Sequence, residues 1–430
     1  MLIEFTVRNF RSFREDSTFS MVAANLASQD KTLDVENVAS LADGLRLLKT
    51  AAIYGPNAGG KSNLAKAIQF MRKFVLNSSK ETQADEPTGV EPFLLDDESS
   101  RAPSHFEMVF LLDGKRYRYG FETTGERVTS EWLFFVPSKR EARLFIREGK
   151  EVEIGERFRE GRGLELRTRD NALFLSVVAQ FNGPIAQRVL SWFRSFNLIT
   201  GLDDTGCRFY TLECLQKSRL DAEIVQLVKR LDLGIDDISV ETTEVREELL
   251  PAKLPEPLRT FILETGDVFH HVKTRHPKVG ADGRVVGTTL LDLDVHESEG
   301  TKKLFAFAGP LLDTLKHGKV LFVDELDARL HPLVTLALIR LFCTSETNPS
   351  NAQLIFTTHD TNLLSNTLFR RDQVWFAEKD RTGGTHLYSL AEYRVRNDAS
   401  YERDYIQGRY GAIPFLGDLS RLVGAPDGSQ

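Results

Sequence analysis

Gly55-Pro56-Asn57-Ala58-Gly59-Gly60-Lys61-Ser62 is the stretch on which the reading of this 430-residue chain turns. It fits the pattern G-x-x-x-x-G-K-[ST], follows the apolar run Leu47 to Tyr54 and precedes a helical pattern opening at Asn63, the strand-then-helix setting the pattern requires. Chemistry dictates these residue types. Glycines let successive backbone N–H groups, those of Asn57 and Gly60 among them, turn inward as a nest for phosphate oxygens. The helix start behind them adds about half a positive charge. Lys61 then reaches the terminal phosphates as a point charge, and the Ser62 hydroxyl takes one position on an octahedral Mg²⁺. The competing reading, a glycine-rich turn that only caps a helix, is weakened by the strand and helix on either side.

Composition bounds the rest. A hydrophobic content of 41% can bury large cores, and the length suggests two or three lobes. The net charge of −7 argues against a wholly basic nucleic-acid coat and leaves a local basic groove open. Cys207, Cys214 and Cys343 form no C-x-x-C pair, so a reduced, cytoplasmic protein with packing cysteines is expected. Met1-Leu2-Ile3-Glu4-Phe5-Thr6 carries an acid where a signal peptide needs apolar residues. No run approaches the length of a membrane span, so a soluble protein without membrane attachment is expected.

Leu2 to Phe10 and, more loosely, Ser17 to Val22 alternate as strands, and residues 25 to 46 read as a surface loop near the base of a nucleotide. Asn63 to Leu76 has helical spacing; Ser78 to Ser104 reads as a mobile loop. From His105 to Phe135 three strands follow, with Asp113-Gly114 as a hairpin turn. Residues 139 to 169 mix arginines with glutamates, which reads as a solvated face rather than a positive surface. Helical spacing over Asn171 to Leu198 and Asp221 to Leu233 gives an inserted α-rich arm, and a linker runs through Pro251, Pro255 and Pro257. Strands return at Phe269 to Thr274 and Val285 to His296. His270, His271 and His276 lie there without the acids or cysteines of a metal cluster, and an ordinary strand is the better reading.

Lys319-Val320-Leu321-Phe322-Val323-Asp324-Glu325 is an apolar run ending in two acids, as a buried parallel strand reads when its C-terminal end points at a site. Asp324 is placed to hold the Mg²⁺ shell, and Glu325 to orient and deprotonate a water attacking the γ-phosphate; capping of the helix that follows at His331 is the alternative. Gln353 to Asp360 repeats the logic, and His359 at its end can sense a γ-phosphate and help place the water.

Gly55 to Ser62, Ser298-Glu299-Gly300-Thr301-Lys302-Lys303, Asp324-Glu325-Leu326-Asp327-Ala328-Arg329-Leu330-His331-Pro332 and His359, in that order, resemble the ATP-binding-cassette ATPases. Within them the chain is similar to the soluble branch that holds RecF, the SMC proteins and the overcoming-lysogenization-defect nucleases. Ile3 to Phe13 carries the same likeness. Pro92-Phe93, Tyr117 to Glu122, Glu131-Trp132-Leu133 and Gly408 to Pro414 resemble a narrower group, the RloA-like and AbiL-like ATPases of bacterial anti-phage loci.

The resemblance implies a fold: an α/β P-loop ATPase with a mixed sheet, an adjoining antiparallel β lobe and an inserted α-helical arm. It divides the chain into an N-terminal ATPase lobe over 1–150, the arm over 151–260, a C-terminal ATPase lobe over 261–400 and a tail over 401–430. It also implies ATP and Mg²⁺ as cofactors. Lys61 would bind phosphates, Ser62 and Asp324 would hold the metal, Glu325 would be the catalytic base and His359 the switch. Asp327 and Ala328 would communicate across a dimer, and Ser298 and Gly300 would bind the γ-phosphate held by the opposite subunit. Two departures stand out: Glu299 separates that serine and glycine with no glycine pair following, and no glutamine sits where the Q-loop is expected.

The function so implied is an ATP-binding and hydrolysing switch of an anti-phage, abortive-infection or restriction-associated system. It would form homodimers or higher oligomers through an ATP sandwich and control a separate effector such as an RloB-like nuclease, with nucleic acid as a further partner. The alternatives are a DNA-repair ATPase of the RecF and SMC kind or a self-contained nuclease-ATPase. The stretch after His359 is short for a nuclease domain, and Glu378 with Asp380 does not make an acidic cluster.

Overall fold

The computed structural model describes residues 1–231, 234–244, 268–396 and 399–414, and the chain gathers into two compact units. One comprises Met1–Leu198, Gly318–Leu326 and Leu338 onward; the other comprises Ile199–His317 and Asp327–Ala337. The expected linker at Pro251, Pro255 and Pro257 lies outside the described residues.

The first unit is built on two large sheets. Its mixed sheet runs in the order Phe196–Thr200, Val320–Asp324, Gln353–Thr357, Thr50–Tyr54, Val374–Lys379, Thr385–Ser389. Neighbours from Val320–Asp324 to Val374–Lys379 pair in parallel, and Thr385–Ser389 turns back antiparallel. Thr50–Tyr54 and Gln353–Thr357 are buried at every position, as strands covered on both faces must be, which is why neither alternates in sequence. Parallel register brings the C-terminal ends of Thr50–Tyr54, Val320–Asp324 and Gln353–Thr357 to one edge, where α/β sheets present their ligand sites.

The second sheet is antiparallel and seven-stranded, in the order Glu151–Ile154, Ala142–Glu148, Val128–Phe135, Lys115–Thr123, Ser104–Leu112, Leu2–Arg8, Ser17–Ser20. At the expected hairpin turn, Asp113 and Gly114 have φ of 51° and 70°, the pair of positive values that a type I′ turn demands. Residues 139 to 169 extend this sheet instead of forming only a solvated face. Arg147 is buried beside Glu131 and donates to the carbonyls of Gly149 and Ala172. Glu131, also buried, accepts from the backbone N–H groups of Phe174 and Leu175, fastening a helix start to the sheet.

That fastening changes the expected domain division. The helices Phe174–Gln180 and Pro184–Ser195, read as part of the arm, bury Phe174, Val178, Val189, Leu190 and Phe193 in the same core as Phe106, Phe121 and the helix Lys61–Asn77. Trp192 stacks on Phe110 with ring centroids 4.1 Å apart, so their apolar faces are consumed by the sheet. Two loops also differ from expectation. Residues 25 to 46 bury Leu33, Val38 and Ala39, form a two-stranded ribbon of Val38–Ser40 with Arg46–Leu48, and are tied down by buried Arg370, which pairs with Asp34 and Asp372. The 78 to 104 stretch is a loop, yet Asn9 clasps it: Asn9 Nδ2 donates to the carbonyls of Ser99 and Ala102, and its Oδ1 accepts from Phe93 N–H.

The second unit packs the helix Glu299–His317 against Thr205–Gln216 and Asp221–Leu231, beside a three-stranded sheet of Asp237–Glu244, Val268–Val279 and Val285–Asp292. Pro310 lies inside the long helix and lacks the N–H that would reach the Ala306 carbonyl. Thr211 fills the gap: its hydroxyl donates to Ala306 O at 2.8 Å and accepts from Gly309 N–H at 3.0 Å. The three histidines of the expected strand have separate neighbours: His270 meets Gln216, His271 faces Asp292 and His276 meets Glu297. Among the described residues, no helix is long and apolar enough to cross a membrane.

Candidate functional site

The Gly55 to Ser62 loop leaves the end of Thr50–Tyr54 and enters the helix Lys61–Asn77, two residues earlier than its apolar spacing indicated. Its glycines are needed for clearance as well as for conformation. Gly60 has φ of 110°, and a Cβ there would lie 2.3 Å from Thr385 Oγ1; a Cβ on Gly55 would lie 2.2 Å from the Ala377 carbonyl oxygen. Any side chain would push the loop off the neighbouring strands and close the nest. Lys61 is buried at 5% exposure, and its Nζ donates to the carbonyls of Gly55 and Pro56 at 2.7 and 3.1 Å. The ammonium is thereby held over the loop it would serve.

Three residues that the motif does not name support the loop from behind. Thr385 Oγ1 donates to Ser12 Oγ at 2.8 Å and lies 3.2 Å from the Gly59 carbonyl, and Asn63 Nδ2 donates to Ser12 Oγ at 2.6 Å. Thr385 N–H donates to the Ser12 carbonyl at 2.6 Å. Only the placing of Ser12 in the Ile3 to Phe13 motif hinted at this in sequence.

Across the sheet edge, Thr357 organises the acid pair. Its hydroxyl donates to Asp324 Oδ1 at 2.6 Å and accepts from Glu325 N–H at 2.7 Å, while its carbonyl accepts from Leu326 N–H at 3.1 Å. Glu325 has φ of 60°, a left-handed value that a non-glycine residue holds only when its surroundings impose it. The left-handed turn at Glu325 ends the extended run of Val320–Asp324 directly after Asp324. His359, just past Gln353–Thr357, lines a cleft of about 840 Å³ with Gly55, Asn57 and Gly59 of the loop, and Glu378, Tyr405 and Ile413 form other parts of its wall.

The remaining expected residues lie in the second unit, near one another. Ser298 Oγ accepts from Thr301 N–H at 3.1 Å and so caps the helix Glu299–His317. Lys303 Nζ donates to the Ala328 carbonyl, Arg329 faces Glu299 at 3.8 Å, and a Cβ on Gly300 would come 3.1 Å from the Arg329 carbonyl. The turn over Asp327 to Arg329 therefore packs on the start of this helix. The structure thus collects Asn57, Gly60, Lys61, Ser62, Asp324, Glu325 and His359 in the first unit, and Ser298, Gly300 and Asp327 in the second.

The donor set fits ATP with Mg²⁺. The glycine cradle and helix N-terminus suit phosphate oxygens, and Ser62 with the Asp324 carboxylate offers the hard oxygen donors Mg²⁺ prefers. Mg²⁺, when bound, neutralises charge that develops between the β- and γ-phosphates.

Comparison with solved structures finds distant likenesses. An SMC head domain from Thermotoga maritima is 15% identical with a TM-score of 0.41, covering 90% of this chain and 98% of that one. The Smc head domain with an extended coiled coil bound to the C-terminal domain of ScpA, from Pyrococcus furiosus, is 11% identical with a TM-score of 0.42, covering 95% and 98%. The recombination mediator protein RecF-ATPrS is 14% identical with a TM-score of 0.35, covering 90% and 98%. No curated protein matches the chain. Residues 51–365 match the family model described as "AAA domain, putative AbiEii toxin, Type IV TA system", and over that span the chain belongs to this family of P-loop ATPases.

Proposed function

We propose that the chain is an ATP-hydrolysing switch that closes as a homodimer over ATP and passes the closure to a separate effector protein in bacterial anti-phage defence. One observation carries the hydrolytic part: Thr357 holds Asp324 and the Glu325 backbone together at the sheet edge that also presents Lys61. In this reading Lys61 leaves the Gly55 and Pro56 carbonyls for phosphate oxygens. Asp324 and Ser62 hold Mg²⁺, Glu325 takes the proton of the attacking water, and His359 senses the γ-phosphate. Ser298, Gly300 and Asp327 serve the site of the opposite subunit. The family description, with its reference to a putative AbiEii toxin of a type IV toxin–antitoxin system, supports the defence setting. The N-terminal motif and the helical insertion support a soluble switch of the RecF and SMC kind over a transport motor.

The test is expression of the chain with and without the protein encoded beside it, followed by phage challenge. Protection that requires both proteins and an intact Lys61 is the expected result. Full protection by the lone chain, or nucleic-acid cleavage by the purified chain with Mg²⁺ and ATP, would instead mark a self-contained enzyme.

A further inference from the structure

Glu297 stands immediately before Ser298, and its carboxylate is held by the three-stranded sheet of the second unit. The Thr274 hydroxyl donates to Glu297 Oε1, and His276 Nε2 donates to the same oxygen at 2.7 Å. Thr274 and His276 are two residues apart on Val268–Val279, so they project from the same face of the sheet. That strand is the central one of the three: Thr274 pairs with Ile238 on one side and with Leu291 on the other. Thr274 is buried, and the side chains of Glu297 and His276 are only 11% and 20% exposed.

The same strand grips the other end of the connection to Ser298. Lys273 Nζ donates at 3.1 Å to Asp292, the last residue of Val285–Asp292, and Asp292 in turn caps the short helix Leu293–His296. The run from Asp292 to Glu297 is thus tied at both ends to neighbouring residues of one strand. After it the chain has little freedom. Glu297 is extended, at φ of −90° and ψ of 157°, and the Ser298 carbonyl already accepts from Lys302 N–H at 3.0 Å.

A carboxylate so little exposed is costly to bury without partners, and Thr274 and His276 supply them. Capping does not call for it, because the Ser298 hydroxyl caps the helix Glu299–His317 by itself. We infer that Glu297, held by Thr274 and His276, is a positioning residue for Ser298. It fixes the direction in which Ser298 is presented to the γ-phosphate held by the opposite subunit, and it makes hydrolysis depend on the strand Val268–Val279. The inference rests on the ATPase reading above, in which Ser298 acts across the dimer.

The test uses the full chain. Glu297→Ala should lower kcat for ATP hydrolysis by ~10-fold and leave the affinity for a fluorescent ATP analogue near wild type, because the Lys61 loop is untouched. Glu297→Gln, whose amide oxygen still accepts from Thr274 and His276, should recover most of the rate, and Thr274→Val combined with His276→Phe should reproduce the loss. Two mixtures then locate the defect. Glu297→Ala chains mixed with Lys61→Ala chains give heterodimers in which one site takes Lys61 from the first chain and Ser298 with an intact Glu297 from the second. Up to half of the wild-type rate per heterodimer should return. A chain carrying both substitutions, mixed with wild type, gives heterodimers whose one intact Lys61 faces a Ser298 without its Glu297, and the rate should stay ~10-fold lower. Equal rates from the two mixtures, or a wild-type kcat for Glu297→Ala, would overturn the inference. If Glu297→Ala does not fold, the chain with Thr274→Val and His276→Phe takes its place in both mixtures. Ser298→Arg mixed with Lys61→Ala, run in parallel, separates the layers: heterodimers that form and stay silent there reject the dimer reading and the inference with it. Activity there beside equal rates for the two Glu297 mixtures rejects the inference alone.

Discussion

Thr357 Oγ1 lies 2.6 Å from Asp324 Oδ1 and turns its other side to the Glu325 N–H at 2.7 Å, so one hydroxyl sets both acids of the strand end. Thr357→Val keeps the shape and removes both bonds. A buried hydrogen bond left unmade costs about 1–3 kcal/mol, which is enough to lower kcat by roughly 10-fold through misplaced carboxylates. Steady-state ATPase and nucleotide affinity check this: affinity should stay near wild type, and Thr357→Ser should recover the rate.

Lys61→Ala and Glu325→Gln should part company. The first removes the phosphate contact and weakens ATP binding; the second leaves binding intact and slows hydrolysis by about two orders of magnitude or more, trapping a closed dimer. Titration with a fluorescent ATP analogue and size-exclusion chromatography with ATP separate the two. Equal ATP affinity for Lys61→Ala and wild type would remove Lys61 from the site.

The parts of the fold legible in sequence are those whose pattern is local. Gly55 to Ser62 announces itself because backbone geometry and phosphate chemistry allow few other residues, and Asp113-Gly114 marks its hairpin because the turn needs two positive φ values. Arg147 read as a surface charge because its counterparts, Glu131 and the Ala172 carbonyl, come from elsewhere in the chain. The helix Pro184–Ser195 read as part of an arm because its apolar face looks the same whichever core it fills. Thr357, Ser12 and Thr385 went unread for a related reason. A threonine on a buried strand is ordinary, and only the pairing of Val320–Asp324 with Gln353–Thr357 brings its hydroxyl to a carboxylate.

The three cysteines should be inert in the folded chain. All are buried, and burial pushes the Cys207 thiol up to about 12 and the Cys343 thiol up to about 11, with Cys214 also raised. At pH 8 a thiol at about 11 is roughly one part in a thousand thiolate, the only form that attacks a disulfide reagent. Labelling with an aromatic disulfide at pH 8 should be slow in the native state and complete in denaturant. Fast native labelling of Cys343 would mean that the strand Thr50–Tyr54, which its Sγ touches through Thr50, opens readily.

The proposed dimer makes its own demand on the two units. Lys61 belongs to the first and Ser298, capping the helix Glu299–His317, to the second; in the closed dimer each active site would draw Lys61 from one subunit and Ser298 from the other. Ser298→Arg and Lys61→Ala proteins should each lack ATPase alone, because each carries the same defect in both sites. Mixed, their heterodimers hold one site with both defects and one with neither, so up to half of the wild-type rate per heterodimer should return if the sites act independently. Mixing the purified variants at several ratios and following phosphate release measures this, with subunit exchange verified by differently tagged copies. Heterodimers that form and remain silent would mean that Ser298 serves the loop of its own chain, and the site would then close within one subunit.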